Sequence, residues 1–201
     1  MSGLVTSLVE QARALPALEA IAVVAAIAYL VLAIRQNIWC WGFAGLSSAI
    51  YVYLLFDVRL YMESALNVFY FVMAVYGFGV WRSGGRDAPQ LPVTSWPAGW
   101  HLRAIVAVLL ASVVAGFLLE RNTDAMFPYI DSMTTFGALW ATFLVARKVI
   151  ENWYYWLVID VTLVCVFWIR ELELTALLFA AYVVMIPFGL VSWRRSMAAA
   201  A

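Results

Sequence analysis

The chain has 201 residues, 66% of them hydrophobic and 12% charged, and its formal charge is zero. A soluble domain holds about 45–50% apolar and about 25% charged residues, so the composition excludes one and predicts an all-α integral membrane protein. The balanced charge also leaves no basic footprint for nucleic acid.

Apolar runs bounded by charged residues, Gly or Pro predict seven transmembrane helices. The first, 17–34, follows a segment holding Glu10 and Arg13 and lacks a basic start. It reads as a span and not as a cleaved leader. The second, 38–56, opens "NIWCWGFAGLSSAIY". There Gly42, Gly45 and Ala49 predict a small-residue face for close helix approach, and Trp39 and Trp41 an interfacial aromatic pair.

The third span, 61–81, places Glu63, Asn67 and Tyr70 on one stripe. Glu63 is expected to be solvated near the interface. Asn67 lies deeper, where an amide requires a partner, either a neighbouring helix or a ligand. The segment 82–101 is rich in Gly and Pro and holds the only histidine, His101, expected to be a solvated loop residue. The fourth span is 102–119. The fifth, 129–146, opens on Asp131, Ser132 and Thr135, with Asp131 readable as a helix N-terminal cap or as a polar site.

The sixth span, 152–169, carries Trp153, Trp156 and Asp160 at i, i+3 and i+7, one stripe of a helix. An aspartate facing lipid at a helix centre costs about 2.5–3.5 kcal/mol, so this stripe must face protein or a cavity. An anion flanked by indole faces suits an organic cation. A packing partner and a proton relay are the alternatives. The seventh span, 174–193, contains Pro187, which removes one backbone hydrogen bond and predicts a kink. Trp81 and Trp193, near span ends, read as an aromatic belt.

Cys40 and Cys165 show no metal or disulfide spacing and read as small core residues. No phosphate loop, metal-binding helix motif or nucleophile elbow occurs. The chain is therefore expected to be no enzyme, to need no cofactor, and to transport passively or by ion coupling. A membrane enzyme and a purely structural bundle are the weaker readings.

"YFVMAVYGFGVWR" (70–82) aligns with "YVVMIPFGLVSWR" (182–194) at a spacing of 112, matching Tyr70/Tyr182, Gly77/Gly189, Trp81/Trp193 and Arg82/Arg194. Glu19/Asp131 and Arg35/Arg147 share that spacing, and Trp39/Trp153 are paired at 114. The expected plan is one membrane domain: a three-helix repeat (17–81), a linker and joining helix (82–119), and a second, parallel repeat (129–193). This 3+1+3 order is a transporter design with substrate at the repeat interface. Eight of the twelve basic residues fall on the side of Arg35, Arg82 and Arg194, which places the N-terminus outside and the C-terminus in the cytoplasm.

Two motifs carry a family resemblance. Asp131 and Ser132 are followed by Arg147, Lys148, Glu151, Asn152, Trp153 and Trp156; Leu60 and Tyr61 are followed by Val68–Phe71, Tyr76 and Gly77. With these the chain resembles the PnuC-type vitamin transporters from Ala17 to Trp193. The resemblance implies a SWEET-like fold and a homotrimer in the bacterial inner membrane. It also implies import of nicotinamide riboside, or in relatives thiamine or riboflavin, by facilitated diffusion, with trapping by a cytoplasmic vitamin kinase. The expected substrate-binding residues are Trp153, Trp156, Asp160, Asn67, Tyr70 and Asp131. Asn67 and Asp160 depart from the Gln and Asn that the nicotinamide riboside transporters tend to carry there, and a carboxylate at 160 suits a cationic vitamin such as thiamine as well.

Overall fold

The computed structural model describes residues 17–57, 61–83 and 91–199. They form seven helices: α1 (Ala17–Ile34), α2 (Cys40–Asp57), α3 (Tyr61–Ser83), α4 (Ala98–Asn122), α5 (Pro128–Ala146), α6 (Asn152–Ile169) and α7 (Glu173–Ala199). Among the described residues there is no strand, only an isolated parallel bridge between Thr94 and Val149.

Six helices are long and apolar enough to cross a membrane; α5 is not. The reason lies in its position. It packs against α3, α4 and α6, and its buried residues include Ser132, Thr134 and Thr142 beside Gly137, Ala138 and Ala141. A helix shielded by other helices can exchange apolar bulk for small and hydroxyl-bearing side chains. Pro187 does not break α7, which continues unbroken to Ala199.

Within the first three helices α2 packs on α1 and α3, and within the last three α6 packs on α5 and α7. The halves meet through α3 against α5 and α1 against α7, while α4 packs on α5 at the periphery. That position leaves Leu102, Leu110, Val113 and Val114 exposed. The ends of α1, α3, α5 and α7 and the starts of α2, α4 and α6 gather at one end of the bundle. Arg35, Arg82, Arg147, Lys148 and Arg194 lie there, and it is called the basic end below.

The turns after α1 and α5 share one hydrogen-bond pattern. Gln36 N–H reaches Ala33 O at 3.0 Å and Asn37 N–H reaches Leu32 O at 2.9 Å; Lys148 N–H reaches Val145 O at 3.0 Å and Val149 N–H reaches Leu144 O at 2.9 Å. Both are Schellman endings, whose left-handed position normally falls to glycine. Here it holds Gln36 (φ 55°) and Lys148 (φ 50°). A side chain there costs on the order of 1 kcal/mol. The two side chains offset it by meeting across the halves, Lys148 Nζ donating to Gln36 Oε1 at 3.2 Å.

The same register continues into the next helices, where Cys40 and Asn152 N–H accept equivalent roles by donating to Asn37 O and Val149 O. This corrects the Trp39/Trp153 pairing. Trp41 is the counterpart of Trp153 at spacing 112, and Trp39 stays exposed. Neither Trp81, Trp193 nor Trp41 belongs to an interfacial belt; all three are buried. They join Trp153 in a chain of edge contacts with centroid separations of 5.5 Å (Trp41–Trp81), 6.3 Å (Trp81–Trp193) and 5.5 Å (Trp193–Trp153).

Trp81 Nε1 donates to Ala146 O at 3.1 Å and Val145 O at 3.3 Å, and Trp193 Nε1 to Ala33 O at 3.0 Å. Each indole thus serves carbonyls at the end of a helix in the other half, where no intrahelical donor remains.

Glycine sets the spacing of this seam. A Cβ on Gly77 would overlap the ring of Trp41, and one on Gly189 the ring of Trp153. The expected small-residue face of α2 plays a lesser part: Gly42 and Ala49 are exposed, and only Gly45 meets a neighbouring helix, at Ala74 and Phe71. Cys40 is buried as expected, but Cys165 is exposed.

Gly77→Ala and Gly189→Ala are each expected to destabilise the bundle by about 1–3 kcal/mol through overpacking. Gly79→Ala is the control, since nothing lies within 4 Å of its added Cβ. Thermal melting in detergent checks this; melting of Gly77→Ala like Gly79→Ala would remove the ring-on-glycine contact as the determinant of helix spacing.

Candidate functional site

Between the two halves lies a cavity of about 340 Å³ lined by every helix except α4. That volume falls at the lower end of small-molecule sites, roughly 300–1,000 Å³. Helix α6 supplies Asn152, Trp153, Trp156 and Asp160, and α3 supplies Asn67 and Tyr70. Tyr29, Tyr51 and Tyr182 add three further phenols. Among the described residues no lysine or arginine lines it.

The i, i+3, i+7 spacing on α6 brings Trp153, Trp156 and Asp160 to the same wall. Asp160 is 4% exposed and forms no ion pair among the described residues. Trp156 and Tyr70 pack beside it on the small cluster Ala138, Ala141 and Ile159. Small residues on α5 leave room there. A buried carboxylate among aromatic rings attracts a cation by charge and by ring quadrupoles.

Asp131 does not line the cavity. It lies in the first turn of α5, where Phe127 is the N-cap and no side chain caps. Its carboxylate accepts from Arg170 Nη2 at 3.0 Å, both side chains being about a third exposed. An ion pair that exposed contributes at most about 1 kcal/mol. The side chain of Glu63 lies outside the described residues.

His101 is not a solvated loop residue. It sits in the first turn of α4, with Nδ1 3.1 Å from Tyr155 Oη and Nε2 3.7 Å from Glu151 Oε2. The segment before α4 braces the same turn. Thr94 N–H donates to Lys148 O at 3.0 Å, Ile150 N–H to Thr94 O at 2.8 Å, and Ser95 Oγ and Trp96 N–H to Glu151.

Sequence reasoning missed Trp41, Asn152 and the phenols of Tyr29, Tyr51 and Tyr182. The spacing of 112, in its correct register, pairs Trp41 with Trp153 and Tyr70 with Tyr182 and would have found two of them, Trp41 and Tyr182. Nothing in the sequence singles out Tyr29 or Tyr51.

Lys148, the only lysine of the chain, is 2% exposed. Its Nζ lies 4.5 Å from the centre of the Trp81 ring, and burial pushes its ammonium down to about 8. Cys40 nearby acts weakly in the opposite direction.

Residues 16–195 match the family described as nicotinamide mononucleotide transporter. Similar proteins include the nicotinamide riboside transporter PnuC of Escherichia coli K12, 26% identical over 75% of this chain and 73% of the relative. The riboflavin/roseoflavin transporter RibM of Streptomyces davaonensis is 24% identical over 82% and 78%. The PnuC of Neisseria mucosa is 25% identical over 89% and 72%. A crystal structure of the vitamin B3 transporter PnuC shares the fold, with a TM-score of 0.71, 21% identity, and coverage of 96% of this chain and 89% of that one.

The lysine gives a pH test of the seam. Unfolded, Lys148 titrates near its ordinary value of 10.5; folded, near 8. Between these the unfolded chain binds more protons, so stability is expected to rise from pH 8 towards 10.5. Melting measured against pH should show that rise in the wild type and a flattened profile in Lys148→Met. Superimposable profiles would overturn the assignment.

Proposed function

Since this chain belongs to the nicotinamide mononucleotide transporter family, we propose that it carries a small cationic vitamin across the bacterial inner membrane, nicotinamide riboside foremost. The observation that supports this most directly is the cavity between the halves, with buried Asp160 and, among the described residues, no basic side chain in its wall. Nicotinamide riboside carries a pyridinium. In this reading Asp160 supplies the counter-charge, Trp156 and Tyr70 flank the ring, and Asn67 completes the polar contacts.

The proposed architecture is one membrane domain of two parallel three-helix repeats, 17–81 and 129–193, joined through 82–119. The recurrence of backbone hydrogen bonds at spacing 112 supports it. The basic end is proposed to face the cytoplasm, with the N-terminus outside, a reading supported by the excess of arginine and lysine there. Transport is proposed as facilitated diffusion followed by phosphorylation by a cytoplasmic kinase. Assembly as a homotrimer is proposed through the exposed apolar face of α4.

Thiamine is the second reading, favoured by the carboxylate at 160: its thiazolium is also a cation, and the added charge serves either ring. A proton-coupled carrier, with Asp160 as proton carrier, is the third. Asp131, which pairs with Arg170, is assigned to holding α5 against α6 and not to the substrate.

Asp160→Asn is expected to weaken nicotinamide riboside binding by roughly tenfold, about 1.4 kcal/mol. The uncharged dihydronicotinamide riboside should be affected far less. Calorimetry on solubilised protein checks this, and equal loss for both ligands would sink the charge-pairing role. Uptake into kinase-free liposomes should equilibrate and ignore an uncoupler; collapse on uncoupling would favour proton coupling instead.

A further inference from the structure

The four tryptophans of the seam divide into two kinds. Trp81 and Trp193 donate their indole N–H across the halves to backbone carbonyls. Trp41 and Trp153 occupy equivalent places in the two halves, and neither Nε1 has a hydrogen-bond partner among the described residues. Yet they are only 3% and 2% exposed, and both line the cavity.

A third atom of this kind stands beside them. Asn152 is 0% exposed and opens α6. Its Nδ2 donates to Val149 O at 2.7 Å, which fixes the amide. The amide's Oδ1 too is buried without a partner and belongs to a cavity-lining residue.

Buried polar groups in folded proteins are nearly always hydrogen-bonded. Two donors and one acceptor left unpaired at one end of one cavity therefore mark a place where a polar molecule docks. Hydroxyl groups suit it, since each both accepts and donates. We infer that the basic end of the cavity is a second, hydroxyl-recognising subsite, in which Trp41 and Trp153 Nε1–H donate to substrate hydroxyl oxygens and Asn152 Oδ1 accepts a substrate hydroxyl proton.

The inference rests on the cavity being the substrate site and adds the substrate's orientation. Asp160 lies eight residues beyond Asn152 on the same helix, about 12 Å along its axis. The two subsites hold opposite ends of one elongated molecule, the cationic ring at Asp160 and the hydroxylated part towards the basic end. The scaffold carries the two indoles symmetrically, but the position equivalent to Asn152 is Cys40 and that equivalent to Asp160 is Ser48. The wall formed by α6 thus decides which way round the substrate lies.

The test compares nicotinamide riboside with N-methylnicotinamide, which has the same cationic ring and no hydroxyl. Solubilised wild-type protein should bind the riboside at least tenfold more tightly. In protein labelled with ¹⁵N at the indoles, the Trp41 and Trp153 N–H resonances should shift with the riboside and stay in place with N-methylnicotinamide. Asn152→Leu should lose about tenfold for the riboside and nothing for N-methylnicotinamide, whereas Asp160→Asn should weaken both.

Equal affinity of the two ligands in the wild type, or riboside binding with unmoved indole resonances, overturns the subsite while leaving the cationic site intact. Failure of both ligands to bind overturns the transport reading and the subsite with it. The wild-type arms decide the question even if Asn152→Leu does not fold.

Discussion

A helix that ends near a membrane interface leaves its last carbonyls without intrahelical donors, and this chain meets that need partly in the turns that follow and partly from the opposite half. The indoles of Trp81 and Trp193 reach across to the ends of α5 and α1, and Ser192 Oγ adds a bond to Ile34 O at 2.8 Å. An unsatisfied carbonyl at such a place would cost about 1–3 kcal/mol. The exchange is reciprocal, so neither half completes its own helix ends. The Gln36–Lys148 hydrogen bond, the edge-on tryptophan chain and the two glycines beneath it all depend on that seam.

Between positions 112 apart, the polar groups of the cavity are unevenly placed. Trp41 matches Trp153 and Tyr70 matches Tyr182, but Asn67, Asn152, Trp156 and Asp160 face Phe179, Cys40, Ala44 and Ser48 at the equivalent positions. Symmetry serves packing between halves, where the same problem arises twice. The two asparagines and Asp160 lie on α3 and α6, and no amide or carboxylate stands at the equivalent positions.

A second asymmetry lies at the basic end. The turn at 147–151 is held by the segment before α4 through Thr94, Ser95 and Trp96, and by His101 near Glu151. The equivalent turn at 35–39 has at its tip a local bond from Trp39 N–H to Asn37 Oδ1 at 3.0 Å. Glu151 corresponds in spacing to Trp39, so the side-chain part of this brace, through Ser95, Trp96 and His101, has no acceptor at the equivalent position of the first turn. The brace rests on the turn that leads into α6, the helix that carries Asn152 and Asp160.

The sequence by itself determined the class, the seven helices and the stripe of Trp153, Trp156 and Asp160, because bilayer thickness and the helical repeat act on residues near one another in the chain. It also determined that Asp160 must face inwards, since lipid does not tolerate a carboxylate. The matches at spacing 112 were legible in Gly77/Gly189 and Trp81/Trp193, but the pairing slipped by two at Trp39. Trp39 and Trp41 are equally plausible by composition, and only the turn geometry tells them apart. The tertiary structure alone decided that Trp81 and Trp193 are buried cross-braces, that His101 docks on α6, and that Asp131 pairs with Arg170 outside the cavity. Each of these depends on what a distant helix brings within about 3 Å, a distance that periodicity along one helix does not encode.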